Sequence, residues 1–519
     1  MNFKNIFGAI ILLVFIGFIG MIFLSSLVSL GATQTGGQSY YSQLSSYSME
    51  PGFIPLNPPN DDAFFDTFFK NYGVNPFIDT EDNTISTFAA DVDTASYSVM
   101  RAYLNQGLLP PEDSIRVEEY LNYFKQDYSK HEDEEFKIYL EGSESKFGEN
   151  KKLLKIDLQG KTIQVKDRKK AILTFVVDVS GSMDLENRLG LVKRSLELLV
   201  GELNPEDKIG IAVYGTNGRT LLEHSSLDEK QKILNAINSL ETEGATNAEE
   251  GILTGYSMAE KAFEKDSINR VILLSDGVAN VGNTGPESIL KLIEEKKDKG
   301  IYLTTVGFGM ANFNDILMEQ LADKGNGSYA YVDTINEAEK IFKEELTGTL
   351  QVIAKDAKIQ VEFNPESIER YRLIGFENRR LKEEDFRNDK VDAGEIGAEH
   401  SVTALYELKF SDNPKQELGE VRIRFKNPEN ESEVKELRKQ IKLSDFSETF
   451  EQSSARFRFT AGVAEYAEIL KKSYWAEESK LEDVLPLAEK AVKDLKGDKE
   501  REEEFIELIK KAIQLKKSN

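Results

Sequence analysis

The run Ala171-Ile-Leu-Thr-Phe-Val-Val177 is apolar throughout, rich in β-branched and aromatic residues, and stops at Asp178-Val-Ser180-Gly-Ser182-Met183. So short an apolar run, without polar alternation, predicts a strand buried on both faces, as in a parallel sheet. That sheet must be covered by helices on both sides, which narrows the fold to an α/β architecture. Ligands of open α/β sheets bind at the carboxyl ends of the strands. There the chain places one carboxylate and two hydroxyls at alternating positions, with a glycine between the serines for a tight turn. Hard oxygen donors of this kind suit Mg²⁺ and not a thiophilic metal. A plainer role stays open, because Asp178 or a serine could also cap the helix that follows.

From Ala171 to about Thr349 strand and helix patterns alternate. Arg188 to Leu203 predicts a helix with Leu189, Val192, Leu196, Leu199 and Leu203 on one face. Lys208–Tyr214 follows as a strand, Lys230–Leu240 and Asn247–Phe263 as helices, and Arg270–Asp276 as a second buried strand. The helices Ser288–Lys299, Ile316–Lys324 and Ile335–Leu346 and the strands Gly300–Phe308 and Ser328–Val332 complete a doubly wound domain. The last helix runs within a few residues into Leu350-Gln-Val-Ile-Ala354, so it can either transmit a displacement or merely orient the domain.

Gly244-Ala-Thr246-Asn-Ala-Glu-Glu-Gly251 supplies a hydroxyl in a glycine-bounded turn before a helix, and Asp276-Gly277 ends the second buried strand. D-x-S-x-S, then a loop threonine, then a strand-terminal Asp-Gly, in that order, resembles the metal-ion-dependent adhesion site of von Willebrand factor type A domains. The resemblance implies a Rossmann-like fold and a metal set of Asp178, Ser180, Ser182, Thr246 and Asp276. The hydroxyls would come from Ser180, Ser182 and Thr246, with Asp178 and Asp276 placed directly or through water. The ion implied is Mg²⁺, with Mn²⁺ or Ca²⁺ as alternatives, and one position is kept for a carboxylate from a protein ligand.

The flanks resemble a bacterial group of such proteins, sometimes labelled calcium-activated chloride channel-like. Upstream the likeness rests on Ser86-Thr-Phe-Ala-Ala-Asp91-Val-Asp93-Thr-Ala-Ser-Tyr97, Arg116-Val-Glu-Glu119 and Asn122-Tyr-Phe124. Downstream it rests on Lys358–Pro365, Tyr371–Arg379, Asp392–Gly397 and Thr403–Tyr406. Two departures touch the rim of the site. Ser275-Asp-Gly-Val278-Ala279 stands where many relatives have Thr-Asp-Gly-Asp-Phe, and Glu243-Gly244-Ala245-Thr246 where they tend to have Gly-Gly-Ser-Thr. Ligand choice therefore does not carry over from the group.

With 519 residues the chain needs several cores, about three by length. A net charge of −25 argues against nucleic acid and against docking on an anionic membrane surface. Zero cysteines exclude disulfides, thiol catalysis and thiolate zinc sites. The three histidines, His131, His224 and His400, lack i, i+4 spacing and are expected as surface or polar packing residues. Ile6–Leu24 is uncharged and continues apolar to about Leu30, long enough to span a bilayer. Lys4 before it places the bulk of the chain outside the cytoplasm, on a single-pass anchor in the cell membrane. A cleaved signal peptide is the alternative, but the apolar stretch is longer than such peptides use.

The expected organisation is an anchor over 1–32, a flexible stalk over 33–60, a small N-terminal module over 61–130 and strands over 131–170. The A domain then covers 171–349, a β-sandwich 350–450 and helices 451–519. Strand-like segments on both sides of the A domain suggest one sandwich into which it is inserted, with two separate sheets as the alternative. Asp91 and Asp93 read either as a helix cap or as a second cation site, the cap being favoured. The stripes Phe459/Val463/Tyr466/Ala467/Leu470 and Phe505/Leu508/Ile509/Ala512 are expected packing faces. The function these features point to is a membrane-anchored extracytoplasmic protein-binding module, not an enzyme. The alternatives are a structural subunit of a cell-envelope complex, or a metal-dependent hydrolase, for which no Walker loop, HExxH helix or G-x-S-x-G elbow is present.

Overall fold

The strand Ala171–Asp178 lies in the middle of a six-stranded sheet and is buried along its whole length. The computed structural model that shows this describes residues 69–277, 286–309 and 314–518. The expected anchor and stalk, residues 61–68 of the small module, and the Val278-Ala279 departure lie outside those residues. Among the described residues no helix is long and apolar enough to cross a membrane.

Across that sheet the strands are Tyr329–Val332, Ile301–Phe308, Ile268–Ser275, Ala171–Asp178, Lys208–Tyr214 and Gly218–Ser226. All neighbours are parallel except the last pair. Alternate residues of the central strand serve opposite faces. Phe175 and Val177 meet the helix Arg188–Glu202 through Val192, Leu196 and Leu199. Val176 faces the helix Ala248–Ala262 through Ile252 and Tyr256. The edge strand Gly218–Ser226 was not expected. The single helix expected over Ile335–Leu346 is instead a short helix Ile335–Glu339, a π-helical turn Lys340–Glu344 and a second helix Leu346–Leu350.

The A domain is inserted between two strands that pair with each other. Lys152–Gly160, before it, runs antiparallel to Ser401–Phe410, after it. That sheet also contains Ile78–Asp79, Ile368–Ile374 and Phe136–Glu144. A second sheet orders Arg380–Leu381, Ile85–Ala89, Val352–Phe363, Glu417–Asn427 and Asn430–Lys442, with Gly394–Gly397 beside Val352–Phe363. One core joins the two sheets through Phe88, Ile156, Val361, Tyr406 and Ile423.

The helix Ala95–Asn105 has two buried faces. Ala95, Val99 and Ala102 pack on the A domain, while Tyr97, Met100 and Leu104 pack among the C-terminal helices Ala455–Leu470, Leu481–Asp494 and Glu500–Ser518. Three arginines, Arg101 and Arg116 buried and Arg379 half-buried, lock this arrangement. Arg101 donates to Asp333 at 2.5 Å and to Glu337 at 2.7 Å, and reaches Glu504 of the last helix at 3.1 Å. Arg116 joins Glu119 to Asp315 of the A domain. Arg379 bridges Asp91, Asp93, Glu319 and Asp323.

That last cluster corrects the favoured reading of Asp91 and Asp93. The helix they precede begins after Thr94 without a side-chain cap. Asp91 accepts from the Asp93 amide at 2.8 Å, and Asp93 accepts from the Tyr329 amide at 2.9 Å. Both carboxylates face Arg379, and Asp93 also holds the Tyr329 amide of the A domain, so they serve this joint and not a helix end.

Glu118 lies in the same joint and is fully buried. One of its oxygens accepts from the Phe376 amide at 2.9 Å, and the other has no hydrogen-bond partner. Burial, then the nearby Glu377 and Asp91 charges, push its carboxyl up to about 7. A carboxyl raised in the folded state binds its proton more tightly there than in the unfolded chain. Its stabilising contribution is complete below about 4.5 and is lost as pH rises through about 7. Glu118→Gln should therefore gain stability relative to the parent between pH 5 and pH 8, by about 3 kcal/mol. Urea melts at the two pH values check this, and a difference that does not change with pH would remove Glu118 from the titration.

Candidate metal centre

Asp178 and Asp276 arrive at the carboxyl edge of the sheet on adjacent parallel strands, in which Val177 registers with Leu274. Their exposures are 0% and 2%. One Asp178 oxygen accepts from the Ser180 amide at 2.9 Å and the other from the Ser275 hydroxyl at 2.9 Å. This fixes Asp178 in orientation and bends the backbone so that a 3₁₀ turn, Gly181–Asn187, follows at once. The turn brings the Ser180 and Ser182 hydroxyl oxygens to 3.0 Å from each other. Ser180 is buried and Ser182 half-buried, and Leu185 on the same turn is 52% exposed.

Thr246 stands half-buried on the adjoining loop, which backbone bonds lace to the serine turn. The Glu243 amide donates to the Val179 carbonyl at 2.6 Å, and the Gly181 amide to the Gly244 carbonyl at 3.2 Å. Asn247 caps the helix Ala248–Ala262 by accepting from the Glu250 amide. Gly251 and Gly255 let that helix lie close against Tyr214 and Val176, where a β-carbon would overlap either side chain. The threonine is thereby held at the same edge as the two carboxylates. The structure thus brings Asp178, Ser180, Ser182 and Asp276 into one cluster and sets Thr246 on the loop bonded to it.

Burial, then the Asp276 charge, push the Asp178 carboxyl up to about 7. Asp276 is also raised by burial, with Arg188 opposing. A buried carboxylate raised by a second one beside it is relieved by a proton or by a cation. With two hydroxyls beside them the two carboxylates form an all-oxygen donor set that fits a small divalent ion. The residues present therefore fit Mg²⁺.

The sequence did not single out Arg188 as part of this site. It begins the helix Arg188–Glu202, is 4% exposed, and donates to Asp276 Oδ2 at 2.6 Å and to the Ser182 carbonyl at 3.4 Å. The one available signal was a cation in the first turn of a helix, where the macrodipole disfavours it. Among the described residues, one group of three acidic side chains has ligand atoms within 4.8 Å of one another, and it lies elsewhere: Asp356, Asp392 and Glu395. Lys426 and Lys297 already pair with Asp356 and Asp392.

Gly244 has φ +56°, and a β-carbon there would overlap the Thr216 hydroxyl, which itself accepts from the Ala245 amide. Gly244→Ala should cost about 2 kcal/mol from the left-handed backbone and the displaced loop. It should also speed hydrogen exchange at the Gly181 and Glu243 amides. Unchanged exchange at both would show that Gly244 does not hold the two loops together.

The family model described as "von Willebrand factor type A domain" matches residues 173–344, "von Willebrand factor" matches 64–155, and "Uncharacterized protein YfbK, C-terminal" matches 348–515. The chain is 37% identical to "Uncharacterized protein YfbK" of Escherichia coli (strain K12) over 476 residues, 86% of this chain and 80% of that one. It is 27% identical to the human inter-alpha-trypsin inhibitor heavy chain H3 over 262 residues, 47% of this chain and 29% of that protein. A solved structure, "von Willebrand factor type A from Catenulispora acidiphila", is 12% identical with a TM-score of 0.43, covering 70% of this chain and 88% of that one. The chain belongs to the bacterial family of YfbK, in which a von Willebrand factor type A domain is joined to the YfbK C-terminal domain.

Proposed function

We propose that this chain is a membrane-anchored, extracytoplasmic interaction protein whose A domain captures a carboxylate-bearing protein ligand through Mg²⁺. The observation that carries this reading is the cluster itself: two buried carboxylates and two hydroxyls, the latter 3.0 Å apart, at the carboxyl edge of a parallel sheet. Asp178, Ser180, Ser182, Thr246 and Asp276 would hold the ion. The bound ion supplies a Lewis-acidic position for an anionic group of the partner. The apolar stretch Ile6–Leu24 supports the anchor, and the charge of −25 supports a protein partner over nucleic acid.

The hydrolase alternative lacks support at the serines. His224 bonds the Thr174 hydroxyl at 3.0 Å, His131 bonds the Gln159 carbonyl at 3.1 Å, and His400 packs on Gly348. Among the described residues none of the three serves as a base beside Ser180 or Ser182. The structural-subunit alternative has one observation in its favour. Arg101 ties Asp333 and Glu337, at the start of the A domain's terminal helical segment, to the last helix of the chain, which suits a fixed A domain.

Calorimetric titration of the full-length chain in detergent with Mn²⁺ or Mg²⁺ should show one site, lost in Asp178→Ala. Equal affinity in Asp178→Ala would defeat the metal assignment. Affinity capture from solubilised membranes should lose partners in EDTA, whereas an identical partner set with Mg²⁺ and with EDTA indicates scaffolding.

A further inference from the structure

Arg188 is the anomaly of the site. A buried guanidinium pairs with Asp276, one of the two metal-type carboxylates, at a helix start that electrostatics disfavours for a cation. Space is made for it. Gly309, just past the strand Ile301–Phe308, has φ +82°, and a β-carbon there would overlap Arg188 Nε. Asp276, the Ser182 carbonyl and Gly309, from three segments distant in sequence, thus meet on one side chain.

We infer that Arg188 is a built-in counterion that weakens the site's hold on the bare metal ion and makes the loaded site select an anionic ligand. The inference rests on the proposed metal reading and goes beyond it by assigning the selectivity to one residue. Charge counting carries it. A divalent ion held by Asp178 and Asp276 meets the fixed positive charge of Arg188 at Asp276. Removing that charge leaves the loaded cluster one unit more negative. An incoming carboxylate would then meet a site that attracts it less. Arg188 also occupies Asp276 Oδ2, which restricts that carboxylate to its other oxygen, directly or through water. At such short range in a buried site, one unit of charge alters the binding of a divalent ion by at least about tenfold.

The test uses the full-length chain in detergent, with Mn²⁺ alone as the first probe and acetate on the Mn²⁺-saturated protein as the second. Arg188→Met removes the charge at similar length, and Arg188→Lys retains it. Arg188→Met should bind Mn²⁺ at least about tenfold tighter, and its loaded form should bind acetate at least about tenfold more weakly. Arg188→Lys should stay near the parent in both. Mn²⁺ affinity in Arg188→Met equal to or weaker than the parent's overturns the inference, as does undiminished acetate binding. Removing the arginine leaves Asp276 buried without it, so stability provides an independent measure. Saturating Mn²⁺ should raise the Tm of Arg188→Met by more than it raises the parent's, because tighter binding to the folded state stabilises it more. An equal or smaller rise also counts against the inference. If the parent shows no Mn²⁺ site, or Asp178→Ala leaves it intact, the underlying metal reading fails. If Asp178→Ala abolishes the site while Arg188→Met changes nothing, only the role of Arg188 fails.

Discussion

Three arginines, two buried and one half-buried, set the geometry on which the rest of this protein depends. The A domain leaves the sandwich after Gly160 and returns at Val352, and two covalent links alone would let it swing. Arg101, Arg116 and Arg379 each connect the small module or the C-terminal domain to an acidic side chain of the A domain. Removing one partner of a buried pair of this kind costs about 3–5 kcal/mol, because the other charge is left unpaired in a low-dielectric interior. The apolar contacts bring the parts together without direction, and the guanidinium forks give them one orientation.

The same chemistry recurs at the metal-type cluster on a smaller scale. There a single guanidinium meets Asp276, and the second buried carboxylate, Asp178, is left facing that charge for a divalent ion to answer. The sheet supplies both acids from neighbouring strands, the serine turn supplies hydroxyls within the same short segment, and the threonine loop is bonded to that turn through its backbone. Local sequence therefore builds most of the site, and the parallel register closes it.

This division explains what was legible beforehand. Asp178, Ser180 and Ser182 are contiguous, and the strand before them is buried on both faces, so composition alone exposes it. Asp276 and Thr246 were found because one ends and the other precedes a segment with its own clear period. Arg188 was missed because its meaning lies in a partner 88 residues away. The strands Gly218–Ser226 and Asn430–Lys442 were missed for another reason. Each is an edge strand with much of its length exposed, so polar residues occupy it and no apolar alternation marks it. The break in the helix beginning at Ile335 was equally hidden, since the residues of the π-helical turn are good helix formers. Asp91 and Asp93 resemble a helix cap locally, and only Arg379, nearly 300 residues on, reveals that they belong to a joint.

The helix Ala95–Asn105, apolar on two sides, limits how this protein can be taken apart. Ala95, Val99 and Ala102 form part of the covering of the A-domain sheet, although they precede that domain by about seventy residues. An A domain excised at its own sequence borders would present that seam to water and invite self-association. Its portability is correspondingly low: a graft of this domain onto another scaffold has to carry the helix with it, or replace the apolar residues that the helix covers.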